Sequence, residues 1–200
     1  MRLCRFMLLL CMLTGSIAYA DDDVTWLNNQ VDLGFYNHTV LDANFNGPAN
    51  FSSPGSSSST ALKTPLDGEI GFYQHLIYHS AKHFSINWGV SAARWTYQGL
   101  PVLTASGFVD FNYWPIRTQT VNPYLTASIA GPSLVSRQKI GDANLGAPLI
   151  FQNFLGVGVQ IGKTHVFDIA AAVMHYSNGG TFPVNDGFNV PLVLMVGYSF

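Results

Sequence analysis

Asn189-Val190-Pro191-Leu192-Val193-Leu194-Met195-Val196-Gly197-Tyr198-Ser199-Phe200 is the stretch whose reading decides the fold. Val190, Leu192, Leu194, Val196, Tyr198 and Phe200 alternate with Asn189, Pro191, Val193, Met195, Gly197 and Ser199. Successive side chains of a strand point to opposite faces. Strict alternation gives one face that is wholly apolar or aromatic and leaves Asn189 on the other, with Pro191. The same rhythm recurs upstream. Phe84, Ile86, Trp88, Val90 and Ala92 oppose His83, Ser85, Asn87, Gly89 and Ser91. Leu149, Phe151, Leu155, Val157, Val159 and Ile161 oppose Gln152, Gly156, Gly158, Gln160 and Gly162.

Eight strands are predicted, near 30–38, 68–79, 83–97, 101–114, 121–132, 148–162, 165–176 and 189–200. Most reach or exceed the roughly 9–11 residues that cross a bilayer. Short links near Ser80 to Lys82, Pro115 to Gln119 and Lys163-Thr164 alternate with longer ones at 39–67, 133–147 and 177–188. That asymmetry is the one expected of outer-membrane barrels, with short periplasmic turns and longer outer loops. Ser52 to Thr60 reads as a flexible loop.

Arg2 and Arg5 precede the apolar run Phe6 to Leu13, and Ala18-Tyr19-Ala20 has the form of a signal-peptidase site. Residues 1–20 are therefore expected to be a cleaved leader and 21–200 a single domain. Cys4 and Cys11 are the only cysteines and leave with the leader, so no disulfide or Cys-based metal site is expected. Without Arg2 and Arg5, seven Lys and Arg face eleven Asp and Glu, a net charge of −4. A basic nucleic-acid footprint is absent. Charged residues are 10% of the chain, against about 25% in soluble domains. No stretch is long and apolar enough for a spanning helix. The fold class is therefore all-β, an eight-stranded antiparallel transmembrane barrel of the Gram-negative outer membrane. A strand closing on the aromatic Phe200 resembles the assembly signal of such barrels.

Eight strands enclose an interior that side chains fill. Glu69, Asp110 and Asp168 fall on faces read as inward, as hydrogen-bonded polar groups rather than catalysts. His75, His83 and His165 are read the same way, and no cluster has metal-ligand spacing, so no cofactor is implied.

His175 and Ser177 are different. They continue the apolar row Phe167, Ile169, Ala171 and Val173. Residues two apart on a strand lie about 7 Å apart on one face, so an imidazole can reach the hydroxyl. Serine needs such a base, and the base an orienting group. A polar pair facing hydrocarbon is costly unless it has work to do. Asn178, Gly179 and Gly180 follow with an amide and backbone N–H groups, the parts of an oxyanion hole.

His175-Tyr176-Ser177-Asn178-x-Gly180, then Pro183 and Asn185-Asp186-Gly187, resembles the signature of the PagL-type lipid A 3-O-deacylases. The likeness extends to Ile140-Gly141-Asp142-Ala143-Asn144-Leu145-Gly146, Phe151, Gly156 and Gly158, and covers roughly residues 120–200. It implies an outer-membrane esterase whose substrate is lipid A of lipopolysaccharide in the outer leaflet. It implies His175 as base, Ser177 as nucleophile, Asn178 and Gly180 at the oxyanion, and Asn185 as a supporting polar group. The family's acid is a Glu twelve residues after the serine; here that position is Asn189. Asn189 is expected to orient the ring, with Asp186 as a weaker substitute. Two alternatives stand beside this reading: a structural barrel that has lost the acid, and an adhesin-like barrel acting through its outer loops. Oligomeric state and acyl-chain preference are open.

Overall fold

The computed structural model describes residues 26–37, 66–80, 83–97, 99–140, 143–163 and 166–200. The expected leader at 1–20, the Ser-rich stretch 52–60 and His165 lie outside them. The strands are β1 (Asn29–Tyr36), β2 (Leu66–Ser80), β3 (Phe84–Tyr97), β4 (Leu100–Tyr113), β5 (Val121–Val135), β6 (Lys139–Ile140), β7 (Ala143–Asn144), β8 (Leu149–Ile161), β9 (Val166–Ser177) and β10 (Phe188–Ser199). Eight of them close an antiparallel barrel in the order β1-β10-β9-β8-β5-β4-β3-β2, and β6 with β7 forms a small hairpin in the loop after β5. Closure leaves no sheet edge, which is what permits a sheet to sit in lipid. Asn29 and Phe200 exchange backbone hydrogen bonds of 3.1 and 2.9 Å where the first and last strands of the barrel meet.

The alternation read from the sequence is the inside and outside of this barrel. Leu33, Ile129, Leu155, Phe167 and Val196 point outward and are about half or more exposed. Polar Asp110, Gln152 and Asp168 are buried inside. Toward the end carrying the long loops the interior is aromatic and apolar, with Trp95, Tyr97, Tyr176 and Phe188 almost wholly buried. At mid-height Phe72, Phe108 and Phe154 pack edge to face, 5.4–5.9 Å between centroids. The other end carries the polar residues and a plug. There Arg117 lies 3.7 Å from the Trp26 ring centroid and 4.7 Å from that of Trp114. Burial pushes its guanidinium down to about 10, which still leaves it a cation at neutral pH.

Several expectations are corrected. Glu69 is not an interior charge. It stands exposed on the outer face, directly opposite Arg94 on β3. Ile70 and Phe72 take the inward positions of β2, and the glycines at 68 and 71 had hidden that phase. Val190 is not on the lipid-facing row but fully buried within the barrel. Asn189 correspondingly is not on the inward side. The cause is a bulge in β10 between Val190 and Val193, where the register with β9 jumps. One extra residue inverts the phase of everything beyond it. Pro191 sits in that bulge, as a residue without an N–H must. His75 and His83 are hydrogen-bonded as expected, by Asn29 Oδ1 (3.0 Å) and the Trp114 carbonyl (2.8 Å), but neither is a core group: His75 stands opposite the outward Trp88, and His83 is exposed.

Candidate active site

β9 delivers His175 and Ser177 to the rim that carries the long loops, on the face continuous with Phe167, Ile169, Ala171 and Val173. Tyr176, between them, points inward. Its ring stacks on Phe188 at 4.6 Å, and its hydroxyl accepts from Gln152 Nε2 at 2.8 Å. Those contacts fix the end of β9, and hence the residues on either side of Tyr176.

The β10 bulge then determines the site. By turning Asn189 outward it sets that residue directly across from His175. His175 Nδ1 and Asn189 Oδ1 are 2.6 Å apart. An amide oxygen only accepts, so Nδ1 carries the proton and Nε2 presents its lone pair. Nε2 is buried and makes no hydrogen bond to any described residue, Ser177 included. Ser177 is 5% exposed. Apo catalytic pairs are often longer than a hydrogen bond and tighten when substrate binds.

Gly187 holds the two together. A Cβ there would lie 3.2 Å from both His175 Cε1 and Ser177 Cβ, and 2.9 Å from the Tyr176 carbonyl oxygen. Its φ of +61° is a second reason for glycine. The 178–187 loop thus lies flat against the pair, and no side chain fits between.

The expected oxyanion donors are arranged otherwise. Asn178 is completely buried. Its Nδ2 donates to the carbonyls of Leu145 (2.8 Å) and Val184 (2.6 Å), and its Oδ1 accepts from Gly180 N (2.9 Å). The Asn178 amide and the Gly180 N–H are therefore spent within the loop, binding it to the segment after β7. Asn185 Oδ1 accepts from Asn178 N at 2.8 Å, which leaves Asn185 Nδ2 as a donor without a partner among the described residues. Asp186 is not beside the imidazole's Nδ1. Its Oδ2 accepts from Asn144 N at 2.6 Å, and its own N–H donates to the Asn144 carbonyl. The substitute-orienter role expected for Asp186 is corrected accordingly: the carboxylate pins the β6–β7 hairpin to the loop.

Asn153 was not foreseen. It lies on β8 directly opposite His175, so the histidine stands in a row between two asparagines. Asn153 Oδ1 accepts from Ala130 N at 2.7 Å, supporting a residue held at φ +59° in a bulge of β5. Only the pairing of strands places it there; no motif signals it. Among the described residues no three His, Cys, Asp or Glu side chains converge as metal ligands.

These features define a barrel of the outer-membrane type with a Ser, His and Asn gathered on its lipid-facing rim. A profile of the lipid A 3-O-deacylase (PagL) family matches residues 66–199. The chain belongs to that family. The lipid A deacylase PagL of Pseudomonas aeruginosa is 34% identical over 68 residues, which span 34% of this chain and 38% of that protein. The chain therefore aligns with well under half of that relative's length. The crystal structure of the outer membrane enzyme PagL superposes with a TM-score of 0.53 at 17% identity, covering 86% of this chain and 98% of that one. At that identity the likeness speaks for the fold.

Proposed function

We propose that the chain is an outer-membrane esterase that removes the 3-O-linked acyl chain of lipid A, with Ser177 as nucleophile and His175 as base. Ser177 Oγ attacks the ester carbonyl while His175 Nε2 takes its proton. The imidazolium returns that proton to the departing 3-hydroxyl, and an acyl-enzyme remains. Water activated by the same nitrogen releases the fatty acid and restores the serine. Asn185 Nδ2 and the Gly179 N–H are the donors that would meet the oxyanion, since Gly180 N–H and the Asn178 amide are already engaged.

The observation that supports this reading is the 2.6 Å contact of His175 Nδ1 with Asn189 Oδ1, which leaves an unpartnered Nε2 on the serine's face. Asn189 holds the tautomer but lends no charge to the imidazolium, so slow turnover is expected. Mass spectrometry of lipid A from cells expressing the wild type or Ser177→Ala tests it. Loss of one acyl chain only with the wild type is expected; an unchanged lipid A with folded wild type would sink the proposal. The same Asn189 motivates the second reading, a barrel that has lost catalysis. That reading requires no turnover until a carboxylate is restored at 189.

A further inference from the structure

The polar half of the barrel, away from the rim, encloses a cavity of about 270 Å³ that the proposed reaction does not use. Two carboxylates line it, Asp32 on β1 and Asp168 on β9, 2% and 1% exposed. They belong to one row of the sheet. Asp32 is directly opposite Gly197 of β10, and Gly197 is directly opposite Asp168. A Cβ on Gly197 would collide with Asp32 Oδ1. The glycine therefore lets the Asp32 carboxylate lie over β10 toward Asp168.

Their partners are neutral. Asp32 accepts from Gln30 Nε2 at 2.9 and 3.0 Å, and from Gln74 Nε2 at 3.4 Å. Asp168 Oδ2 accepts from the Tyr124 hydroxyl at 2.9 Å. Asp168 Oδ1 is buried and has no hydrogen-bond partner among the described residues. Neither carboxylate forms an ion pair with a described Lys or Arg, although Arg117 and Lys163 both line the cavity; Arg117 is stacked on Trp26 and Trp114. Two converging carboxylates inside a barrel wrapped in hydrocarbon need positive charge, because buried charge is tolerated only when compensated.

We propose that the cavity binds a hard divalent cation between Asp32 and Asp168, with Ca²⁺ favoured. A single divalent ion balances both charges. The donors are all oxygen, and Ca²⁺ accepts irregular shells of about 6–8 oxygens. The cavity has room for waters, at about 30 Å³ each, to complete the shell. Asp168 Oδ1, idle in the protein's own network, becomes a ligand.

The full chain in detergent is titrated with Tb³⁺, a luminescent stand-in for Ca²⁺ excited through Tyr124 beside Asp168. One saturable site displaced by Ca²⁺ is expected. Asp168→Asn and Asp32→Asn should each weaken it by about tenfold or more, since each removes one of two charged ligands. Folding of the variants is checked by their retarded mobility on unheated gels. Should neither variant fold, the wild type decides: Ca²⁺ must raise its unfolding midpoint and a chelator must lower it. The proposal is overturned by the absence of saturable Tb³⁺ binding, by unchanged affinity in a folded Asp168→Asn, or by a wild-type midpoint indifferent to Ca²⁺. An infrared band of a protonated carboxyl that persists at saturating Ca²⁺ and vanishes in Asp168→Asn overturns it equally, because a shared proton would then hold the pair.

Discussion

Asn189→Asp changes the charge at the rim and almost nothing else. The side chains have the same length, so a carboxylate oxygen takes the place of Oδ1, 2.6 Å from His175 Nδ1. In the proposed acylation step the imidazole becomes an imidazolium. A carboxylate centred about 4 Å from it contributes about 4 kcal/mol at an effective dielectric of roughly 20. The Asn carbonyl dipole already supplies part of that, and Asn189 is only half-buried. Taking half as the net leaves about 2 kcal/mol, or roughly thirtyfold in rate. Asn189→Ala should move the other way. Without an acceptor at Nδ1 the ring is free to turn, and misplacement of about 1 Å costs on the order of a hundredfold. The assay is the time course of acyl loss from lipid A in vesicles containing the purified chain, followed by mass spectrometry. The expected order is Asp above wild type above Ala, with KM little changed. Equal rates in all three would refute the orienting role of Asn189, and a slower Asp variant would refute the charge argument.

Gly187→Ala should fold as a barrel yet lose on the order of a hundredfold in deacylation, because its Cβ would push between His175 and Ser177; heat-modifiable gel mobility and the lipid A assay separate the two effects. Asn178→Asp should destabilise the chain more than Asn178→Ala in urea unfolding, because a carboxylate would face the carbonyls of Leu145 and Val184, with buried unpaired groups costing about 1–3 kcal/mol each. Equal stability of wild type and both variants, with activity alone reduced, would return Asn178 to the oxyanion. Ala130→Gly should stabilise the barrel by about 1 kcal/mol, since a non-glycine residue at φ +59° carries a backbone penalty of about that size. An unchanged or lowered urea midpoint would count against it.

The exterior of the barrel was legible because lipid demands an apolar residue at nearly every second position, and a strand's period is fixed at two. That rule ends at a bulge. Counting back from Phe200, alternation assigns Leu194 and Leu192 to the lipid face, as found, and then carries Val190 with them and Asn189 to the interior. Between Val190 and Val193 the chain spends one residue without a partner, and the assignments reverse. The lone hint was Pro191, which cannot donate to a ladder and so marks an edge or a bulge. The consequence is chemical. Only the reversal places Asn189 against His175, so that pairing comes about through an irregularity that periodicity cannot express. Asn178 failed to be read for a related reason. Its type and place suit an oxyanion donor, but its hydrogen bonds go to Leu145 and Val184, and the former lies 33 residues away in sequence. A short motif states which polar groups are at hand. Which of them remain free is settled by the loops that fold against it, here the segment at Asn144 to Gly146, and by that measure the donor left available is Asn185 rather than Asn178.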